Sequence, residues 1–396
     1  MKRLLLLGGS HAEVPLVEAA RVYGCFVATL GLDAGGLAAR CSDEHYLADF
    51  SDVAQVQKLF IEGNFDVLIA GCNDFAAFTA AHVAENVGLA RHDSVLQTEE
   101  IHLKSRFRLL CEHLEIPVPR STTINQDDQN VDDLEALAFP VLVKPIDLTG
   151  GKGMTRCESL SEVDSAIKVA FSISRQRQIV VEEFINGNLR SACFFVYDQE
   201  PLLLTHADEY MDLNPFLVTS ALVPSGATMQ QLDTVTEYVR AISTELGLCD
   251  GILHVQYLAT EKFAYVVEMC RRPPGDLYVS LPTVQGVSIS DRIVGNALGI
   301  PVADKVKNGK LRNTLRICLM VQRAAKISGW SVSPGLSALT ERIVPLRDQV
   351  TEIVNPLQEK LGIVFASADK RPDLEKFAMF ASAAITYRNS AKSEAE

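Results

Sequence analysis

The segment from Gly251 to Asp276 carries the residues whose types and spacing could do chemistry. Gly251-Ile252-Leu253-His254-Val255-Gln256 is followed, across Lys262, by Val266-Val267-Glu268-Met269-Cys270-Arg271-Arg272-Pro273-Pro274-Gly275-Asp276. Gln256 and Glu268 are twelve positions apart, so a symmetric turn centred near Lys262 sets them opposite one another on antiparallel strands. Alternation then puts His254, Gln256, Glu268 and Cys270 on one face and Leu253, Val255, Tyr257, Tyr265, Val267 and Met269 on the other. Amide and carboxylate oxygens are the hard donors that magnesium takes together with phosphate oxygens and water. Cys270 is not such a donor, because thiols rank poorly for magnesium; either water replaces it or a single ion is held firmly. Arg272 offers a guanidinium fork able to clamp a transferring phosphoryl group as charge develops. His254 shares the polar face, either as a group touching the reacting centre or as a hydrogen-bonded structural histidine.

Cations and glycines upstream supply what such a site would serve. Lys144 ends the apolar strand Phe139-Pro140-Val141-Leu142-Val143, where an ammonium either meets an anion or snorkels to water. Five residues on, Thr149-Gly150-Gly151-Lys152-Gly153 offers backbone N–H groups and one cation suited to draping over phosphates. The strand Val180-Val181-Glu182-Glu183-Phe184-Ile185 fits an adenine edge read by strand-end backbone groups, with Phe184 and Ile185 at its rim. Lys104, beside Arg106 and Arg108 on a helix, is a second candidate phosphate cation or part of a solvated face.

These residues need elements to hold them. Leu4–Leu7 followed by Gly8-Gly9-Ser10 reads as a strand and tight turn, with Ser10 and Glu13 as a capping box that opens a helix through about Tyr23. Strands are expected at 26–32, 46–49 and 66–70, with helices at 52–62 and 74–87, an alternation that implies a parallel sheet. The turn lacks a G-x-G-x-x-G pattern, so it is read as the rim of a shared cleft. A helical region at 94–114 ends at Pro117-Val118-Pro119, the boundary into a second unit. The polar stretch 125–133 reads as a surface loop; then come a strand at 140–144, a loop at 147–154, a helix opened by Ser159 and Glu162, and a strand at 179–184, together a small two-layer lid. Further strands at 191–197 and 202–206, a helix at 229–246 and the hairpin follow, and the tail from Ser390 is expected to be disordered.

The totals exclude some classes. With 396 residues and a mass of 43.3 kDa, the chain exceeds what one core serves, so subdomains are expected. A net charge of -13 disfavours unaided nucleic-acid binding. Nine cysteines without C-x-x-C spacing fit reduced thiols. The start is too short for a signal-peptide apolar region, and no run approaches membrane-spanning length, so the expected location is cytoplasmic.

Taken in order, Lys104, the FPVLVKP lysine Lys144, the GGKGM loop, the VVEEFING segment and the hairpin resemble the ATP-grasp superfamily of carboxylate-amine ligases. The hairpin is close to that family's G-x-x-H-x-(E/Q) to E-x-N-x-R pattern. The resemblance implies an α/β ATP-grasp fold: an N-terminal Rossmann-like domain (1–100), an ATP-grasp domain (101–300) with a small α+β lid at about 117–187, and a C-terminal part (301–396) completing the core. It implies ATP and Mg2+ as cofactors, with Lys104, Lys144 and the loop Gly150, Gly151, Lys152 and Gly153 on the phosphates. Glu182, Glu183, Phe184 and Ile185 would hold the adenine, Gln256 and Glu268 the metal, and Arg272 and His254 would act in catalysis. Three departures stand out: Cys270 replaces the usual Asn, Gln256 the first acidic metal ligand, and Leu189 the common ribose glutamate. The implied activity joins a carboxylate, activated as an acyl phosphate, to an amine; PPGD and GGSHAE look like the amino-acid ligase members. A purine-biosynthesis carboxylase-like enzyme is the alternative, and a catalytically degenerate ATP-binding protein the rival from another class. The expected partners are small-molecule carboxylate and amine substrates, with a homodimer as a family-based expectation.

Overall fold

The computed structural model describes residues 1–127, 132–146, 148, 153–213, 216–301, 311–356 and 359–389. The chain forms two compact units. One comprises Met1–Asp147, Thr155–His206 and Ala227–Gly309; the other comprises Leu148–Met154, Ala207–Gly226 and Lys310–Glu396.

The first unit begins with a parallel sheet of β1 (Arg3–Leu7), β2 (Phe26–Gly31), β3 (Glu44–Leu47) and β4 (Val67–Ala70), in the order β3-β2-β1-β4. Leu4 and Leu6 face one core with Leu16 and Val17, while Leu5 and Leu7 face another with Phe60 and Val83. A sheet buried on both faces explains the unbroken leucine run. The expected third strand lies two residues earlier than 46–49. Ser10 and Glu13 form the anticipated capping box, but on a 3-10 turn (His11–Glu13) that precedes the helix Val14–Val22. Glu13 is buried, and its carboxylate also accepts the Cys72 N–H at 2.9 Å, tying the β1 and β4 turns together. A Cβ on Gly8, whose φ is +147°, would stand 2.8 Å from Glu13 Cδ, so the glycine there makes room for this tie.

The helical region expected at 94–114 is two helices, Val95–His102 and Lys104–His113, broken at Leu103, whose backbone is extended (φ -83°, ψ 113°). An antiparallel sheet follows: β5 (Ser121–Asn125), β6 (Val141–Pro145), β7 (Thr155–Cys157) and β8 (Gln178–Glu183), in the order β5-β8-β6-β7. The helix Leu160–Ile173 covers it with Val163, Ala166, Ile167 and Ala170 against Val141, Val143, Ile179 and Val181. This two-layer arrangement has two strands that the sequence reading missed, Ser121–Asn125 and Thr155–Cys157. Ser121–Asn125 has few large apolar residues and is recruited by pairing with β8. Part of the anticipated 125–133 loop, 128–131, lies outside the described residues, and Asp132–Ala136 is a 3-10 helix.

The hairpin strands Gly251–Ala259 and Ala264–Cys270 extend a sheet that continues through Asn188–Tyr197 to Glu200–Tyr210. The helices Met229–Leu246 and Lys104–His113 back it, burying Val235, Val239, Phe107 and Cys111 against Phe194, Val255 and Tyr257. The helix Ile289–Leu298 returns to the parallel layer, where Val294 joins the Leu4–Leu16 core.

In the second unit, Ser220–Val223, Asn313–Leu319, Gly362–Ala368 and Thr340–Pro345 form an antiparallel array, and Thr351–Ile353, Ala325–Val332 and Ile385–Asn389 form a smaller sheet. Leu315, Ile317, Trp330, Leu336 and Phe377 fill its core. The tail from Ser390 lies outside the described residues. No helix among the described residues is long and apolar enough to cross a membrane.

Candidate active site

The hairpin has the register that its spacing implied. His254 pairs with Cys270 and Gln256 with Glu268, and a symmetric turn joins the strands. The register shifts just beyond Gln256, where a bulge at Val267 brings Tyr257 opposite Val266. The strict alternation expected for the apolar face therefore fails over Tyr265 to Val267. Val266 enters the core beside Tyr257 and Ala264, whereas Tyr265 and Val267 stay partly exposed. The polar face survives this, because Gln256 and Glu268 lie on the side of the bulge that keeps the His254–Cys270 phase; both are half-buried.

A second cluster gathers around Glu182. Lys144 and Glu182 are both buried and directly ion-paired, and Arg108 Nη2 donates to Glu182 Oε2 at 3.1 Å. Arg108 Nη1 also donates to Val266 O on the hairpin at 3.1 Å, so one side chain of the Lys104–His113 helix joins the lid to the hairpin. Lys104 Nζ donates to Ile146 O at 3.3 Å. Burial pushes the Lys144 ammonium below its ordinary value, opposed by Glu182 and helped by Arg108 and Lys104. Burial alone would raise the Glu182 carboxyl, but the Lys144 and Arg108 cations hold it below its usual range. Two buried cations thus pair with one carboxylate, and Lys104 adds a third positive charge near Lys144. Lys104 also begins its helix, where the backbone dipole favours an anion rather than a lysine.

Glu183 accepts the Ala138 N–H at 2.9 Å, and Phe184 donates its N–H to Pro140 O at 2.9 Å and stacks with Arg156, whose Cζ is 4.2 Å from the ring. The chain leaves the strand after Glu183, so Phe184 and Ile185 form the connection to Asn188–Tyr197. Gly150, Gly151 and Lys152 lie outside the described residues; Gly153 has φ +67°, a left-handed backbone suited to glycine.

The two arginines after the hairpin separate. Arg271 Nε donates to Asp93 Oδ2 at 2.6 Å, and its other donors reach Ile252 O and Cys249 O. Arg272 Nε donates to Asp74 Oδ1 at 2.7 Å and Nη1 to Pro273 O at 3.2 Å. Asp74, His102, Asp93 and the burial of Arg108 were not anticipated. One signal was available: Asn73-Asp74 lies just past the Gly71-Cys72 turn after β4, and ligands in open α/β sheets gather beyond the carboxyl ends of the strands.

With this geometry in place, residues 109–281 match the family model described as the ATP-grasp domain. The chain is 25% identical over 328 residues to the formate-dependent phosphoribosylglycinamide formyltransferase of Bacillus velezensis, covering 76% of this chain and 79% of the relative. It is 24% identical over 168 residues to the carbamoyl phosphate synthase large chain of Methanoculleus marisnigri, covering 42% of this chain and 16% of that one. It thus spans about a sixth of that relative's length. Among solved structures, an L-amino acid ligase from Bacillus licheniformis superposes with a TM-score of 0.80 at 18% identity, covering 98% of this chain and 99% of the other. A phosphoribosylglycinamide synthetase from Anaerococcus prevotii does so with a TM-score of 0.76 at 18% identity, covering 98% and 100%. The α/β ATP-grasp fold expected from the sequence is the fold observed.

The surroundings of the hairpin also set the state of its other two polar residues. His254 is buried, its ring meets Tyr278 edge-on with centroids 4.9 Å apart, and its Nδ1 has no hydrogen-bond partner among the described residues. Burial, reinforced by Arg272, pushes its pKa down to about 3, so the imidazole is neutral near pH 7. Burial pushes the Cys270 thiol up to about 12, and Sγ leans on Arg272 O at 3.7 Å. A neutral thiol brings magnesium no charge, which leaves Gln256 and Glu268 as the oxygen donors of this face. Among the described residues no cluster of three or more His, Cys, Asp or Glu could hold a metal alone.

Proposed function

We propose that this chain is an ATP- and magnesium-dependent ligase that activates a carboxylate as an acyl phosphate and joins it to an amine, an amino acid in the preferred case. The observation that carries this reading is the excess of cations over the single carboxylate of Glu182: buried Arg108 and Lys144 both pair with it, and half-buried Lys104 adds positive charge near Lys144. Such an excess is costly without a polyanion to complete it. A triphosphate is the right size and charge, and the half-buried pair Gln256 and Glu268 provides hard oxygens for the accompanying cation.

On this reading ATP supplies the phosphoryl group and magnesium neutralises its oxygens. The protein's part is positioning and charge neutralisation. Lys104 and Lys144 hold phosphate oxygens, and Phe184 and Ile185 border the adenine with strand-end backbone. Gln256 and Glu268 orient the metal. Arg272 meets charge developing on the acyl group, and the neutral imidazole of His254 lines the reacting face without delivering a proton from an imidazolium. The amino-acid preference draws support from the L-amino acid ligase likeness and from the PPGD and GGSHAE segments. The likeness to the purine-pathway formyltransferase supports a purine-biosynthesis enzyme as the second reading.

An ADP-release screen across paired carboxylates and amines, with amino acids and phosphoribosyl substrates in separate arms, tests both. Turnover with amino-acid pairs supports the first reading and turnover with a phosphoribosyl substrate the second. Tight ATP binding without turnover for any pairing overturns the ligase reading in favour of an ATP-binding protein.

A further inference from the structure

We propose that Asp74 and His102 are positioning residues whose task is to fix the direction of the Arg272 guanidinium. This rests on the reading of Arg272 as the group that meets the reacting charge. Four groups form a closed circuit. The backbone N–H of Arg271 donates to His102 Nε2 at 3.1 Å, His102 Nδ1 lies 3.1 Å from Asp74 Oδ1, and that same oxygen accepts Arg272 Nε at 2.7 Å. Because a backbone N–H can only donate, Nε2 is the acceptor and the ring proton sits on Nδ1, pointing at Asp74. The circuit therefore starts at the peptide of Arg271 and ends on the side chain of the next residue, so Arg272 is held against its own backbone through two residues of the N-terminal layer.

The surroundings make this arrangement stiff. The His102 side chain is 1% exposed and its ring packs against Phe78 at 5.5 Å. Asp74 is the first residue of the helix Asp74–Val87, with Asn73 as its cap, so the carboxylate sits where the helix dipole favours negative charge. With Nε on Asp74 and Nη1 on Pro273 O, the guanidinium has, among the described residues, its Nη2 edge left to present to a ligand. A free arginine loses rotamer entropy when it is fixed. Here that loss is taken before any substrate arrives, which is what preorganised electrostatic stabilisation requires. Asp93, bonded to Arg271, supplies no such constraint on Arg272.

The test is a double-mutant cycle on the full chain with Asp74→Asn, Arg272→Lys and the pair together, and with Asp74→Glu as the conservative rescue. ADP release gives kcat and the KM for ATP, and the Arg272 Nε–H resonance, assigned by its loss in Arg272→Lys, is followed in parallel. Asp74→Asn is expected to lower kcat about 100-fold with the KM for ATP within about twofold, and to cost less than about twofold when Arg272 is already Lys. Asp74→Glu should recover part of kcat, and the Nε–H should exchange faster in Asp74→Asn than in the wild type. Additive losses, an equal rise in the KM for ATP, or an unchanged Nε–H overturns the proposal. Should Asp74→Asn fail to fold, His102→Gln carries the same measurements and the same criteria. If the wild type turns over no pairing, the ligase reading falls, and the Nε–H comparison by itself decides whether Asp74 holds Arg272.

Discussion

Asp93 engages Arg271 through both carboxylate oxygens, at 2.6 Å from Nε and 3.3 Å from Nη2, with both side chains less than a tenth exposed. The adjacent Arg272 turns to Asp74 instead. Two neighbouring arginines thus have different duties: one clamps the hairpin to the turn before the Val95–His102 helix, and the other faces the proposed chemistry. A Cβ on Gly251 would stand 3.1 Å from the Arg271 guanidinium, so the first of the hairpin's glycines accommodates that clamp.

Arg271→Ala strands the Asp93 carboxylate, and breaking a buried pair from one side costs about 3–5 kcal/mol. Arg271→Lys should recover only a fraction, because an ammonium cannot match the fork. Urea unfolding of both variants measures this; a loss under about 1 kcal/mol for Arg271→Ala would show that the clamp is not structural.

Glu268→Gln and Lys144→Ala should each abolish ADP release while the circular dichroism spectrum stays native. On the proposed reading the first removes the charged metal donor and the second a phosphate cation, and removing one such electrostatic group costs about 100-fold or more. Near wild-type rates in either variant would remove that residue from the site.

The buried Glu182 makes acid stability predictable in sign. Its folded pKa lies below its ordinary value of 4.5 because Lys144 and Arg108 outweigh burial. A depressed carboxylate contributes stability that is present above the unfolded value and lost as pH falls through the folded one. The stability difference between wild type and Glu182→Gln should therefore stay level from pH 7 to about 5.5 and narrow progressively below 4.5. Denaturant midpoints at half-unit pH intervals read this directly, and a difference that widens on acidification would reverse the sign of the assigned shift.

The bulge is tested by neighbours of identical chemistry. Val266 is fully buried and Val267 is not, so Val266→Ala should cost about 2 kcal/mol and Val267→Ala under about 0.5 kcal/mol. Equal costs, or the reverse order, would restore the strict alternation read from the sequence.

Much of the site was legible along the chain because its signals are local. The opposition of Gln256 and Glu268 was read from strand period and turn spacing over twelve residues, although the bulge at Val267 is what completes it, and the placement of Lys144 was read from one apolar run. The capping box at Ser10 and Glu13 and the helix Met229–Leu246 are likewise short-range patterns that packing did not override. Where the reading slipped, the determinant lay elsewhere in the chain. Ser121–Asn125 is a strand because β8 pairs with it, and Val267 bulges because Val266 and Ala264 fill the core that Tyr257 and Phe107 share.

The sequence by itself determined which chemical groups the chain owns and how they alternate along each strand, since periodicity and turn chemistry act over a few residues. Only the tertiary structure decided which group each one answers to. Arg272 and Asp74 are 198 positions apart, Arg108 and Glu182 are 74 apart, and no local pattern relates them. Those pairings arise when apolar faces bury and leave few ways to satisfy the charges carried inward, and it is there that adjacent arginines come to differ.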